Sequence, residues 1–332
     1  MASEKISLPG NTIGLVPWHA CNAMCRHCAT DGSRGNGAEM PHGDVLRLLE
    51  EIALHLPAGW RLALSGGEIF LHYERMLEYV KLARDLGGCA TLMTNGYWAG
   101  EYSKAYKIIR QLRSLGVTSL GVSTDAFHQE FVPVDNVINI IKAAGKVGLT
   151  IHVRVVATAS YGLRQAVEQL SRAHPWFVTF TEMPLIPWGR ARDIDSRELI
   201  RSRKIPAGKC PGAGPMIKAS GEVTLCCNAL AAGEALTVGT LGEHSLRDLL
   251  EAYKMNLLRR HLLVHGPASC SRFLDSAQKR TLRDMAFTHE CHLCTWLFGG
   301  SGWADRIVKG IQDRVMRKAT AAFFRANPRY CV

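Results

Sequence analysis

The chain has 332 residues, 47% of them hydrophobic, which is enough for one large domain or two modest domains with a buried core. Its formal net charge of +11 makes anionic partners more plausible than cationic ones, and the alternative is a solvated basic surface. No run of about 18 uncharged apolar residues and no secretory signal pattern is present, so we expect a cytoplasmic protein without a membrane span.

Short apolar runs alternate with longer stretches of helical spacing between about residues 13 and 180. Six runs predict β-strands, at residues 13–17, 61–65, 90–94, 118–123, 150–157 and 176–181. The stretches between them predict helices, and Asp44 and Asp135 are the expected N-caps of two of these. This alternation predicts an α/β fold with a parallel sheet, either curled like a barrel or open and doubly wound.

The alternation ends after residue 185, and a segment rich in Pro and Arg follows. We therefore expect an N-terminal segment at 1–12, a core domain at 13–190, a linker at 191–209, a small domain at 210–300 and a basic C-terminal helix at 301–332. Within the small domain, Ser245 is the expected N-cap of a helix that has Asp248 at its third position.

Three of the eleven cysteines, Cys21, Cys25 and Cys28, lie directly after the first predicted strand. Eleven cysteines in a chain without an export signal indicate metal binding or redox chemistry rather than disulfides. A closed structural zinc site uses four protein ligands, whereas an iron–sulfur cube held by three cysteines leaves one iron open. The alternative is three buried thiols without a ligand.

The CxxxCxxC spacing of these cysteines resembles the signature of the radical S-adenosylmethionine (SAM) superfamily. Gly66, Gly67 and Glu68 follow the second predicted strand and resemble the GGE motif of the same family. The resemblance implies a partial (βα)6 barrel of the TIM type, a 4Fe-4S cluster on the three cysteines, and SAM bound to its open iron. It also implies that the GGE residues lie beside the amino group of SAM.

Polar residues end the later predicted strands, and barrels of this kind gather their active-site groups at the C-terminal strand ends. The resemblance implies SAM contacts at Asn95, Ser123, Asp125 and Arg154. It also implies an adenine contact at His27, where many relatives have an aromatic residue. Each position has a structural alternative, such as a turn, a helix cap or an arginine on an edge strand. Residues that act on the substrate remain unassigned.

A second set of four cysteines lies in the C-terminal part: Cys210, Cys226, Cys291 and Cys294. Four thiolates in two groups suit a tetrahedral metal or a fully ligated cluster. The arrangement resembles the auxiliary-cluster domains of the family, called SPASM and, in the shorter form, twitch. It implies one auxiliary 4Fe-4S cluster, and a structural zinc site is the alternative. Three further cysteines are candidates to replace one of these ligands: Cys227, Cys270 and Cys331.

The resemblance implies an enzyme that reductively cleaves SAM to a 5'-deoxyadenosyl radical, which takes a hydrogen atom from a substrate. Because only a dozen residues precede the first strand, we expect no leader-binding domain. We therefore expect a small polar metabolite of sugar, aminoglycoside or nucleoside type in natural-product biosynthesis, with oxidation, epimerisation or decarboxylation as the outcome.

The first alternative is a ribosomal-peptide maturase that forms a crosslink or an epimer. The second is a non-catalytic iron–sulfur carrier or a zinc-stabilised binding protein, and the Gly66–Glu68 motif argues against both of these. A flavodoxin or ferredoxin type of electron donor is the implied partner. No nucleic-acid-reading module is apparent in the sequence, so nucleic acid is not an expected partner.

Overall fold

The computed structural model describes residues 5–29, 32, 37–212, 214–227 and 233–326. Nine strands of the described chain form one sheet: β1 (Thr12–Leu15), β2 (Arg61–Leu64), β3 (Cys89–Thr94), β4 (Val117–Ser123), β5 (Thr150–Ala157), β6 (Val178–Pro184), β7 (Met216–Ile217), β8 (Glu222–Thr224) and β9 (Thr237–Thr240). Their order is β6-β5-β4-β3-β2-β1-β7-β8-β9.

The first six strands run parallel and lie side by side in chain order. A doubly wound sheet would reverse its strand order at a switch point. No reversal occurs here, so the structure confirms the barrel-like alternative over the doubly wound one. All six predicted strands are present, but the last one begins at residue 178 rather than 176. A turn occupies the preceding positions, where the Val178 amide donates to the Pro175 carbonyl over 2.9 Å.

The described part of the chain contains ten α-helices: α1 (His42–His55), α2 (Tyr73–Asp85), α3 (Tyr102–Ser114), α4 (Val134–Val147), α5 (Leu163–Leu170), α6 (Leu246–Met255), α7 (Leu257–His265), α8 (Ser276–Asp284), α9 (Glu290–Thr295) and α10 (Ala304–Ala326). Helices α1 to α5 follow the successive strands β1 to β5. Each of these five helices buries an apolar face. None of the helices in the described residues combines the length and apolar character needed to cross a bilayer.

The predicted helix caps are partly wrong. Pro41 and Pro133 occupy the N-cap positions of α1 and α4, and Asp44 and Asp135 lie three and two residues further on, inside the first turn. Negative charge is favourable there because it faces the positive end of the helix dipole. The Ser245 cap is confirmed, since its hydroxyl accepts the Asp248 amide over 3.2 Å.

The C-terminal part continues the sheet of the first part. Strand β7 pairs parallel to β1, and β8 and β9 follow in antiparallel order. The domain division near residue 190 therefore crosses a continuous sheet and remains a prediction. Helix α10 lies in the region predicted as a basic C-terminal helix and buries Ile307 and Ile311.

Candidate active site

A cavity of about 340 Å³ lies at the C-terminal ends of the parallel strands. It receives residues from the loop after β1, from the ends of β2 to β6 and from the segment after β6. Ten of the residues predicted for the first cluster and for SAM line it: Cys21, Cys25, His27, Cys28, Gly66, Gly67, Asn95, Ser123, Asp125 and Arg154. The topology therefore brings residues that are far apart in the sequence to one site.

The two glycines of the GGE motif lie against the backbone of the cysteine loop. The Gly67 amide donates to the Trp18 carbonyl over 3.1 Å, and the Glu68 amide donates to the Ala20 carbonyl over 2.8 Å. A Cβ atom on Gly67 would lie 2.1 Å from the Ala20 oxygen. Gly66 adopts a φ of +149°, where a side chain would strain the backbone. Glycine is thus required because this loop packs directly against the chain entering Cys21.

The three cysteines of this loop line the same cavity, with Cys25 buried and Cys21 and Cys28 partly buried. Burial raises the pKa of Cys21 and raises that of Cys25 to about 12, and the neighbouring thiolate charges add to both effects. Three thiols on one loop match a cluster that leaves one iron open, whereas a closed structural zinc site uses four protein ligands.

Arg190, which the sequence analysis did not identify, holds the cysteine loop from the segment after β6. Its Nε donates to the Cys25 carbonyl over 3.0 Å, and its backbone amide donates to the Cys28 carbonyl over 3.1 Å. Its positive charge opposes the rise in the pKa of Cys21 and Cys25. Gly189 has a φ of +53°, and a Cβ there would lie 2.5 Å from the Cys28 oxygen. The Gly189-Arg190 pair, which follows β6, was the sequence signal that could have identified this residue.

Glu68 lies behind the cavity wall rather than on it. Its fully buried carboxylate accepts hydrogen bonds from the Phe70 amide at 3.0 Å, the Thr94 hydroxyl at 2.8 Å and the Asn95 amide at 2.7 Å. Burial raises the pKa of Glu68 to about 7, although the three hydrogen bonds oppose the rise. The side chain ties the end of β2 to the end of β3, and only Gly66 and Gly67 of the motif face the cavity.

We expect the Glu68→Gln substitution to lower the free energy of unfolding by about 1–3 kcal/mol, because an amide nitrogen would replace one acceptor among three buried donors. Urea unfolding of the cluster-free protein measures this effect. Glu50→Gln on the exposed face of α1 is the matched control, for which we expect no measurable change. Equal losses in the two variants would contradict the buried role of Glu68.

Other predicted residues present polar atoms to the cavity. The Asn95 side-chain amide donates to the Asn22 side chain over 2.9 Å and lies 3.9 Å from the Cys21 sulfur. The Ser123 hydroxyl lies 3.9 Å from the Met93 sulfur. Arg154 projects from β5 with an exposed side chain. The cavity thus offers an amide, a hydroxyl and a guanidinium on three neighbouring strands.

Asp125 organises two histidines beside the cysteine loop. Its carboxylate is fully buried and accepts hydrogen bonds from the ring Nδ1 of His128 at 2.9 Å and from the Val156 amide at 3.2 Å. Burial alone would raise the pKa of Asp125, but the charge and hydrogen bonds of His128 outweigh it and the pKa falls to about 2. His27 stacks on Phe127 with ring centroids 4.9 Å apart, and burial lowers its pKa to about 4. The Nδ1 atom of His27 is buried and has no hydrogen-bond partner among the residues that the structure describes.

The C-terminal cysteines form a second group. Burial raises the pKa of Cys210, Cys291 and Cys294, and each of these thiols is further affected by a neighbouring charge on Cys227. The predicted ligand Cys226 is partly buried, and its neighbour Cys227 is exposed. Among Cys210, Cys291 and Cys294, the buried Cys270 affects the pKa of Cys294 alone. The remaining candidate, Cys331, lies outside the described residues.

Residues 15–166 match the model of the radical SAM superfamily. These residues form a radical SAM domain. The family uses a 4Fe-4S cluster and SAM, and the structure supplies the expected α/β barrel with a cysteine-lined cavity at its C-terminal strand ends.

Two curated proteins and one solved structure are also similar to this chain. The putative peptide biosynthesis protein YydG of Bacillus subtilis is 25% identical over 288 residues, which cover 85% of this chain and 90% of YydG. An S-adenosylmethionine-dependent nucleotide dehydratase of Psychrobacter lutiphocae is 32% identical over 96 residues, covering 25% of this chain and 32% of the dehydratase. A structure of tagged anSMEcpe with bound AdoMet covers 92% of this chain and 96% of its own, with a TM-score of 0.55 and 12% identity, and so supports the fold alone.

Proposed function

We propose that Cys21, Cys25 and Cys28 hold the 4Fe-4S cluster of this radical SAM enzyme. The observation that carries this proposal is that three thiols of one loop line a single cavity at the C-terminal strand ends, together with the polar residues expected to bind SAM. When bound, the cluster supplies the electron that cleaves SAM to the radical that takes hydrogen from the substrate. Arg190 fixes the loop carbonyls of Cys25 and Cys28 and so holds the three sulfurs in place.

The residues around the cavity suit the polar groups of SAM. The exposed guanidinium of Arg154 matches a carboxylate, which arginine binds through paired hydrogen bonds. The Ser123 hydroxyl can bond to a ribose hydroxyl, and the backbone of Gly66 and Gly67 lines the cavity beside it. The free Nδ1 of His27 can bond to adenine while Phe127 supports its ring. These contacts orient SAM, and the buried walls of the cavity limit access of water to it.

We propose that the substrate is a peptide. The supporting observation is the likeness to a putative peptide biosynthesis protein, which extends over 85% of this chain and 90% of that protein. The expectation of a small metabolite relied on the short segment before the first strand, which is a weaker argument than similarity along the chain. The net charge of +11 also favours an anionic peptide over a neutral sugar.

The test is anaerobic turnover of iron-reconstituted protein with reductant and SAM. One arm contains short synthetic peptides encoded next to the gene for this chain, and the other contains amino sugars and nucleosides. We expect only the peptides to raise 5'-deoxyadenosine formation, with a mass change or deuterium exchange in the peptide. A rise with the sugars or nucleosides alone would contradict the proposal.

We propose a second 4Fe-4S cluster on four C-terminal thiols, namely Cys210, Cys227, Cys291 and Cys294. These residues come from three separate segments, yet Cys227, whose side chain is exposed, lies near enough to affect the pKa of the three partly buried thiols. Four thiolates would ligate every iron of a cubane, so that this cluster has no site for SAM. Such a cluster suits electron transfer to or from the substrate site.

We expect Cys227→Ala and Cys291→Ala each to lose about four of the roughly eight irons that the reconstituted protein binds. Cys226→Ala is the matched control, because the same substitution one residue away is expected to leave the iron content unchanged. Iron and acid-labile sulfide analysis measures both. Loss of iron in Cys226→Ala alone would return the ligand role to Cys226. One zinc per chain in place of these irons would instead indicate a structural zinc site.

A further inference from the structure

Strand β6 forms one edge of the sheet. It pairs with β5 along its whole length, from Val178 to Pro184, and no strand of the described chain pairs with its other side. Proteins usually protect such edges with charges, prolines or bulges, because an open edge accepts another strand. Here the one charged side chain of the strand, Glu182, is engaged with the Leu163 amide at 2.5 Å, and the proline lies at the very end. The edge is therefore open to pairing.

The direction of the backbone groups on β6 follows from its register. The amide of Leu185, just after the strand, donates to the Ala157 carbonyl of β5 over 2.8 Å. In a parallel ladder, alternate residues direct their backbone groups to the same neighbour. Odd-numbered residues therefore face β5, and the N–H and C=O groups of Phe180 and Glu182 face outward. Within the described residues, no hydrogen bond reaches these outward groups.

The open edge leads into the active-site cavity. Thr181 and Met183 of β6 line that cavity, and 40% of Met183 is exposed. Thr181 and Glu182 are exposed as well. A segment lying along β6 would therefore run from the surface to the place where Arg154 and the cysteine loop meet.

Building on the proposed peptide substrate, we propose that β6 binds an extended segment of that peptide as an added strand that delivers a residue to the cavity. The outward groups recur every second residue, about 6.6–7 Å apart, with a donor and an acceptor at each point. An extended peptide backbone matches this pattern, whereas a sugar or nucleoside does not. Such main-chain pairing tolerates many sequences, and the cavity then selects the side chain.

Hydrogen–deuterium exchange with residue resolution tests this inference on the iron-reconstituted protein with SAM. The probe is a mixture of synthetic twelve-residue peptides randomised over all residues except Pro and Cys. The control probe is the same mixture with every second backbone nitrogen methylated. With the plain mixture at twice its Kd, we expect exchange at the amides of Phe180 and Glu182 to slow about threefold. The amides of Thr181 and of the opposite edge strand β9 should not change.

Each alternative result overturns the docking proposal in a recognisable way. Equal slowing by the methylated mixture, or slowing only at the cavity rim, would exclude strand addition while leaving a peptide substrate intact. Slowing at Phe180 that grows with protein concentration in the absence of peptide would assign the edge to a second copy of this chain. No change at any amide would also overturn it, and peptide-dependent 5'-deoxyadenosine formation would then decide separately whether the substrate is a peptide.

Discussion

Cys25→Ala is expected to reduce the formation of 5'-deoxyadenosine from SAM by more than about 100-fold. Loss of an outer partner of a metal site already costs up to about 100-fold in affinity or activity, and Cys25 is proposed as a direct ligand. The thiol is buried in the loop that lines the cavity, so no other group can take its place. The measurement is single-turnover product formation after anaerobic reconstitution with iron and sulfide.

Cys89→Ala is the matched control for this substitution. Cys89 lies at the start of β3, at the opposite end of the strand from the cavity, and it is not among the residues that line the site. We expect this variant to keep both its iron and its activity. A Cys25→Ala protein that still forms 5'-deoxyadenosine at the wild-type rate would refute the ligand assignment.

Gly67→Ala is expected to lower the free energy of unfolding by about 1–3 kcal/mol and to impair retention of the cluster. The added methyl group would lie 2.1 Å from the Ala20 carbonyl oxygen, where two backbone segments meet and no flexible side chain can move aside. The loop that carries Cys21 would therefore shift. Urea unfolding of the cluster-free protein measures the first effect, and iron content after gel filtration measures the second.

Gly100→Ala provides the control for the added methyl group. Gly100 has a φ of −57°, and no heavy atom lies within 4 Å of a Cβ built there. We expect its stability to be unchanged or raised by about 0.4–1 kcal/mol, since alanine restricts the unfolded chain. If Gly67→Ala is as stable as Gly100→Ala and retains as much iron, the GGE motif is not needed for the close approach of the two loops.

The fold was predictable because its signal is local and repeated. Each strand and helix of the barrel has its own apolar pattern, so errors of one or two residues at the ends, as at Val178, do not change the topology. The predicted N-caps Asp44 and Asp135 were wrong because prolines at 41 and 133 occupy the N-cap positions of these two helices. Only the resemblance chose the barrel over the doubly wound sheet, since strand order is not visible in a periodicity.

The site was predictable where motifs are contiguous and was missed where contacts are distant in sequence. Cys21, Cys25 and Cys28 stand in one loop, but Arg190 reaches Cys25 across 165 residues and has no motif of its own. The sequence alone does not separate Cys226 from Cys227 as the fourth ligand of the proposed second cluster, because adjacent side chains in an extended chain point in opposite directions and only one of them can face the other three thiols. Glu68 was identified as a motif residue, but its position behind the cavity wall depends on donors from β3.

The arrangement of the molecule relates the two proposed clusters to one sheet. The cysteine loop, the GGE glycines and Arg190 close one end of the cavity through backbone contacts. The opposite wall is β6, an edge strand with outward-facing donors and acceptors. Strands β7 to β9 extend the same sheet from β1, and the C-terminal cysteines flank them: Cys210 precedes β7, Cys227 lies between β8 and β9, and Cys291 and Cys294 are on α9.

The most direct test of the central claim is electron paramagnetic resonance of the reduced, reconstituted Cys291→Ala variant before and after SAM is added. This variant is expected to retain only the cluster on Cys21, Cys25 and Cys28, so its spectrum reports on that site alone. We predict the signal of one reduced 4Fe-4S cluster whose g values shift when SAM binds to its open iron. An unchanged spectrum, or a variant without a cluster signal, would contradict the account.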